Sequence, residues 1–361
     1  MSASVFNSII GTLMDVFPHV TVWYPTPHPA PLVLIAGSKQ QQYFSPKYIE
    51  KELLNENIRN SLSKLNIQND MDVLSCYIGD ENDLRKAVSA FSVNSDYFPF
   101  VEFSTDVKLP KEQIFSEFVL RIRSDSINDH IDWTGLNKNE KEAWLANYQR
   151  LYEACGHLLM LDGTTNMLDK LKYSLAGLSI FPDKPAFLAA RVSAEEKLFS
   201  AGVKMILSGE TDQALVLSGE ILKIHPQSAI AWMIRSSAMQ HKGEMQQALT
   251  AAQQAVALAP DNPDVHSTLG IIWFGAGQFE NAVTEYREAL RLAGEASSSD
   301  KAKMLSALAS AYAATGRFPE AIDAAETALG LALSAGQEDL AKSIRKQLLL
   351  FKEGTVGQKQ H

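Results

Sequence analysis

The chain has 361 residues, 46% of them hydrophobic, with a formal net charge of −9 at pH 7. That length implies two domains, with apolar residues enough for a core in each. The acidic balance, without any basic stripe, argues against nucleic acid as a partner. The longest apolar runs, such as residues 31–37, are far short of a membrane span. Cys76 and Cys155 lie far apart and lack metal-type spacing, so they read as two buried thiols in a reducing compartment. The opening residues, Met1 to Phe6, place no Lys or Arg ahead of the apolar stretch, which is not the pattern of a secretory leader. The expectation is a soluble, cytoplasmic chain.

The first hundred residues alternate short helices and strands. Phe6, Ile9, Ile10, Leu13 and Phe17 recur at helical spacing, so Val5–Phe17 is predicted to be an amphipathic helix. Pro18–Trp23 alternates toward a strand. A bend with Pro25, Pro27, Pro29 and Pro31 follows, and Leu32–Ala36 reads as a second strand closed by Gly37 and Ser38. Two short strands joined by such a bend suggest a hairpin. Lys47–Leu65, Asp70–Tyr77 and Glu81–Phe91 read as helices, the last two flanking Gly79 and Asp80, and Asn94–Phe103 as an extended ending. Thr105–Leu136 is a linker around one helical run, Lys111–Arg123, broken at Asp125–Asp129.

From there the periodicity is helical throughout. Glu140–Leu161 carries the stripe Trp144, Tyr148, Leu151, Tyr152 and Leu158, and Thr165–Phe181 follows beyond Gly163. Together they read as a degenerate first hairpin. Gly209, Gly243 and Gly277 then fall at equal steps of 34 residues, Ala214, Ala248 and Ala282 keep the same step, and so do Pro226 and Pro260. Small residues recurring at this period mark stacked helical hairpins. In Pro263–Ala296, Leu269, Gly270 and Trp273 precede the turn at Gly277, and a second helix from Phe279 carries Ala282, Tyr286 and Ala289. Gly270 and Ala282 are expected to let the two helices touch, with Trp273 and Tyr286 filling the space between neighbouring pairs. Ala229–Asn262 is a second copy with Trp232 and Gly243, departing at Arg235 and Ser236. Glu195–Ser228 is a weaker third, with Gly202, Met205, Gly209 and Ala214. A fourth begins near Ala302 and includes Leu308, Tyr312, Gly316, Phe318, Ala321 and Ala328, displaced by a polar loop at residues 295–300 that offers a helix N-cap. Glu338–Lys352, with Leu340, Ile344 and Leu348 between cations, reads as a solvating cap helix.

These residues resemble the tetratricopeptide repeat family. The resemblance implies a mostly α fold, a helical-hairpin solenoid of about four to five pairs, with a concave binding face lined by first helices. From the helical phase, that face is expected to present Phe199, Val203, Met233, Ser237, Gln240, His241, Ser267, Ile271, Phe274, Ser306 and Ser310. It has no Lys and Arg clamp for a peptide carboxylate, so a hydrophobic or helical peptide is the better fit.

The N-terminal order resembles the last third of a spermidine/spermine-synthase-type, methyltransferase-fold domain. The resemblance rests on residues 16–23, 32–38 and 74–84 and on Asn94, Asp96, Pro99, Glu102 and Phe103, and it covers residues 1–105. It implies a small α/β remnant of that fold. The glycine-rich segment that would bind an aminopropyl donor, and the catalytic carboxylate that follows it, have no counterpart here. No Gly-x-Gly-x-x-Gly opens a helix, and neither a phosphate-binding loop nor a Gly-x-Ser-x-Gly elbow occurs. Asp96 and Glu102 therefore read as capping or turn residues, and His19 and His28 as too few for a metal site. Outside its parent sheet, such a piece would strip partners from Phe6, Ile10, Val20, Val22, Leu32, Leu34, Phe98 and Phe100. It must re-pack on the repeats, pair with a separate chain supplying the missing half, or stay partly molten.

The expected organisation is thus a partial synthase-like segment at 1–105, a linker at 106–137, a degenerate hairpin at 138–182, the repeat array with its cap at 183–353, and a disordered tail at 354–361. The favoured function is a non-catalytic interaction scaffold for a protein or peptide partner. The alternative is the C-terminal portion of a split or truncated aminopropyltransferase-like enzyme. No catalytic, cofactor or metal residues are assigned, and neither nucleic acid nor membrane is expected as a partner.

Overall fold

The computed structural model describes residues 11–23, 34–63, 69–87, 126–294 and 297–358. The bend at residues 24–33, the extended ending at 94–103 and the linker helix at 111–123 lie outside these residues, as does most of the first helix, whose residues 11–16 are helical. The chain divides into two compact units, Met1–Ala194 and Glu195–His361.

The first unit is built on a small antiparallel sheet. β1 (His19–Trp23) lies at its centre, pairing with β2 (Leu34–Ser38) on one side and β3 (Tyr77–Asp80) on the other. The expected hairpin forms, with His19 opposite Ser38 and Trp23 opposite Leu34, and Gly37 and Ser38 belong to the strand rather than closing it. Val20 and Val22 are completely buried, so they do not lose their partners as the excised-fragment reading expected. The single helix read over Lys47–Leu65 is two, α1 (Pro46–Glu52) and α2 (Glu56–Ser63).

The third strand was hidden in the sequence. Asp70–Tyr77 reads as one helix, but α3 (Asp70–Ser75) stops short and Tyr77–Asp80 runs as β3. Asp80 ends that strand and starts α4 (Glu81–Ala87). Its carboxylate accepts the Asn82 and Asp83 N–H groups at 2.8 and 3.1 Å, while Asp83 accepts the Asp80 N–H at 3.3 Å. Reciprocal capping of this kind fixes a helix start. Among the described residues the sheet is wholly antiparallel, and no parallel βαβ unit of a methyltransferase fold is shown.

Aromatic side chains join the sheet to the helices of this unit. Trp23 meets Phe44 and Tyr77 edge-on at 4.8 and 5.4 Å, and Trp133, Trp144 and Tyr148 pack in succession at 5.4 Å each. Trp144 and Tyr148 project from α5 (Lys138–Gly163), whose start is set by a capping box between Asn137 and Glu140. α6 (Met167–Ile180) pairs with α5 as the sequence stripe implies, and the Phe187 ring fills the space left by Gly177.

The second unit repeats one motif. α7 (Pro185–Leu207), which belongs to this unit from Glu195 onward, and α8 (Thr211–Ile224) form a pair, as do α9 (Ala229–His241) and α10 (Met245–Leu258), α11 (Pro263–Gly275) and α12 (Phe279–Leu292), and α13 (Ser298–Ala314) and α14 (Phe318–Ser334); α15 (Glu338–Gln358) follows. Each turn within a pair uses the same hydrogen bonds. At the second, Gly243 N–H donates to the Gln240 carbonyl and Glu244 N–H to the Met239 carbonyl, both at 2.9 Å. This is the Schellman arrangement, and the residue that completes it is already the N-cap of the next helix. It requires a left-handed residue, and Gly243 has φ +80°. The turns at Gly209, Gly277, Gly316 and Gly336 share both the bonding and the positive φ. Between pairs, Ser228, Asn262 and Ser297 cap the incoming helix through their side chains.

Close approach is the second requirement. Ala214, Ala248, Ala282 and Ala321 are completely buried at the same place in four second helices. In the first helices, Gly202, Ser236, Gly270 and Ala309 share one position, all buried. A Cβ on Gly270 would stand 2.8 Å from the Tyr286 ring. Tyr286 in turn packs with Ala282, Val283, Leu308 and Ala311, so the ring also ties α12 to the next pair, with Trp273 at the edge. Ser236 satisfies its hydroxyl on its own helix, donating to the Met233 carbonyl at 2.9 Å. Arg235 stands where the next two repeats bury Leu269 and Leu308, and its buried Nε lacks a hydrogen-bond partner.

These two glycine roles separate by mutation. Gly243→Ala meets nothing within 4 Å and should cost only the left-handed penalty of about 1 to 2 kcal/mol. Gly270→Ala should cost about 1 to 3 kcal/mol by overpacking and should be partly rescued by Tyr286→Leu, whereas Gly243→Ala should not. Urea unfolding of the two double-mutant cycles measures both. Burial also pushes the Tyr286 phenol well above its ordinary value. The folded state therefore keeps a proton that the unfolded chain releases above about pH 10, so stability is intact below that pH and falls beyond it. Tyr286→Phe should flatten the decline in thermal midpoint between about pH 9.5 and 11.

Candidate partner-binding face

The helical phase of α7, α9, α11 and α13 selects eleven residues as a face, and the structure sorts them by what already touches them. Met233 is 3% exposed and packs with Ala255 and Val265, so it belongs to the core and leaves the candidate surface. Phe199 is partly buried against that same cluster. Gln240 reaches the next pair, donating to the Ile271 carbonyl at 3.4 Å, and His241 lies 3.0 Å from the Thr211 hydroxyl of the preceding one. Ser306 is buried and donates to Gln347 of α15 at 2.8 Å, and the Gln347 amide donates on to Ser310 at 3.3 Å. Helical periodicity gives a residue's direction but not the reach of a long side chain from the next layer, which is why these six positions prove buried or already engaged.

What remains is narrower and more apolar. Val203, Ser237 and Ser267 are half-buried. Ile271 and Phe274 are 46% and 36% exposed on α11, and the Phe274 ring lies 5.2 Å from Phe279 at the start of α12. Isoleucine and phenylalanine one turn apart offer two apolar anchors on a rigid helix. Phe279, at the first position after the turn, is a neighbour that periodicity along a single helix does not reveal.

The polar clusters serve the fold. His130 lies 3.4 Å from the Asp80 carboxylate and 3.2 Å from the Gln42 carbonyl, so both ring nitrogens are engaged. His266 similarly lies between Glu285 at 2.8 Å and the Pro260 carbonyl at 2.9 Å, joining α11 to α12 and to the preceding loop. His19 stands 3.4 Å from Glu81, whose other oxygen accepts the Val20 N–H. A cleft of about 690 Å³ in the first unit is lined by Asp70, Trp144, Arg150 and Lys184 among others. There Asp70 accepts the Trp144 indole N–H at 3.0 Å and Arg150 donates to the Ile180 carbonyl at 3.0 Å. Cys76 and Cys155 are both buried and unlinked. Among the described residues no group of three or more His, Cys, Asp and Glu could hold a metal ion, and no helix is long and apolar enough to cross a membrane.

Residues 203–328 match the sequence profile of the tetratricopeptide repeat. The chain therefore carries a tetratricopeptide repeat region, built from the helix pairs described above. Many solved structures are similar to it, three of them as follows. The crystal structure of MamA protein is 19% identical, covering 52% of this chain and 95% of that one, with a TM-score of 0.33. TTC0263, a thermophilic TPR protein in Thermus thermophilus, is 22% identical, covering 56% of this chain and 95% of that one, with a TM-score of 0.34. PilW, a widely conserved type IV pilus biogenesis factor, is 17% identical, covering 44% of this chain and 78% of that one, with a TM-score of 0.35. At such scores nothing about partners or activity follows from them. No curated protein matches the chain.

Core and face residues should respond oppositely to substitution. Met233→Ala should cost about 2 to 5 kcal/mol. Ile271→Asp and Phe274→Asp should each stay within about 0.5 to 1 kcal/mol of the parent. Chemical denaturation of the three variants provides the comparison.

Proposed function

We propose that the repeat region is a non-catalytic scaffold that binds a protein or peptide through the concave face of its first helices, with Ile271 and Phe274 as the anchors. The observation that carries this reading is the exposed apolar pair itself. Ile271 and Phe274 stand exposed one turn apart on α11, a helix fixed to its partner by the close contact of Gly270 with Tyr286. Apolar anchors one turn apart suit an apolar or helical peptide, the half-buried Ser237 and Ser267 adding polar contacts beside them. Rigid presentation matters because a preordered face loses little conformational entropy on binding.

The scaffold reading needs no cofactor, and none is invoked. The partner is defined by chemistry alone: an apolar segment, extended or helical, without dependence on a free carboxylate. The test is affinity capture from native extract with the full chain and with the Ile271→Asp/Phe274→Asp double variant, quantified by mass spectrometry. The expected result is a protein retained by the parent and lost by at least tenfold from the variant. Identical captured sets for the two proteins would refute this face as the recognition surface.

A further inference from the structure

We infer that the cleft of about 690 Å³ in the first unit binds a small extended zwitterion, a molecule with an ammonium group at one end and a carboxylate at the other. The inference is independent of the repeat face. A cleft of that volume is of the size that holds small molecules. It runs along α5, which lines it with Glu140, Trp144, Asn147, Arg150 and Leu151. Steps of three and four residues place these on one face of the helix. The fold uses the charged side chains of the lining unequally. Lys47 donates to the Gly135 carbonyl, and Glu140 accepts the Asn137 N–H at 2.8 Å in the capping box. Arg150 donates to the Ile180 carbonyl at 3.0 Å and lies over the Phe181 ring. A guanidinium has five N–H donors, so others remain. Among the described residues, Lys184 has no partner for its ammonium group.

Asp70 decides what enters. It is only 8% exposed. One of its carboxylate oxygens accepts the Trp144 indole N–H at 3.0 Å, and among the described residues no donor reaches the other. A buried carboxylate paired on one side alone is costly, and an ammonium group in the cleft would complete it. Glu50 and Glu140 line this end beside Asp70, and its one cation, Lys47, is held by the Gly135 carbonyl. The other end carries the opposite sign. Arg150 lies six residues beyond Trp144, about 9 Å along the helix axis. Lys184, whose backbone N–H donates to the Phe181 carbonyl at 3.2 Å, joins Arg150 there. Asp183 is next to Lys184 in sequence, but it is exposed and is not part of the lining. Trp144 and Leu151, two turns apart, give apolar surface between the ends for a methylene chain. A dianion would meet the Asp70 carboxylate, and a diamine would meet Arg150 and Lys184. Opposite charges about 9 Å apart fit both ends.

The test is isothermal titration calorimetry of the full chain with unbranched ω-amino acids from aminobutanoate to aminododecanoate. Octylamine and octanoate serve as single-charge controls, and the series is repeated on Asp70→Asn and Lys184→Gln variants. Asparagine keeps an oxygen that can accept the indole N–H, and the Lys184 ammonium holds nothing in the described fold, so both variants should fold, as circular dichroism checks. The expected result is one optimal chain length, bound at least tenfold more tightly than either control. Asp70→Asn should weaken that amino acid at least tenfold and leave octanoate unchanged. Lys184→Gln should weaken it at least fivefold and leave octylamine unchanged. The proposal is overturned if no amino acid of the series binds the parent more tightly than the controls. It is equally overturned if affinity simply rises with chain length, as apolar burial alone would make it, or if the folded variants bind the series as the parent does.

Discussion

The repeat region depends on how closely two helix backbones can approach. At one position in each first helix only Gly, Ser or Ala is found, and at the matching position of each second helix only Ala. At Gly270 the room left by the missing side chain is taken by the Tyr286 ring, which then reaches into the next pair. One close contact therefore closes a hairpin and stacks it on its neighbour. Dense packing of this kind makes interiors intolerant of added methyl groups, so the small residues act as a specification of geometry rather than as filler. The left-handed turn glycines are a different device. Space is open around Gly243 and Gly277, and their role is to reverse the chain in two residues.

The repeat architecture was legible because both devices leave a signature at a fixed period. Gly209, Gly243 and Gly277 mark the turns, and Ala214, Ala248 and Ala282 mark the contacts, whatever residues stand between them. The first unit was legible only in part. The β1–β2 hairpin shows in its alternation and its prolines. β3 did not, because Tyr77–Asp80 has four residues, all buried, so it lacks the inside–outside alternation by which a strand is recognised. Its boundary is set by the Asp80–Asp83 cap, a local hydrogen-bond pattern that reads equally well as a break between two helices. The burial of Val20 and Val22 likewise comes from elements distant in sequence, which no local pattern reports.

The candidate face shows the same limit from another side. Phase along one helix correctly turns Ile271 and Phe274 outward. It cannot say that Met233 meets Ala255 and Val265, or that Gln347, arriving from α15, bonds to both Ser306 and Ser310. Stacking converts most of a first helix's outward residues into interlayer contacts and leaves a small remainder free. The layered packing thus does two jobs: it supplies the stability, and by using up side chains it decides which ones stay exposed.

A stack of this kind should open as coupled neighbours rather than as independent hairpins. Native-state hydrogen exchange on the full chain measures this directly. The account requires that amides of α9 to α14 be protected together and exchange through shared, denaturant-sensitive openings, with the hydrogen-bonded turn amides at Gly243, Glu244, Gly277 and Gln278 protected alongside them. Exchange of α11 and α12 at unfolded-chain rates while their neighbours stay protected would contradict it.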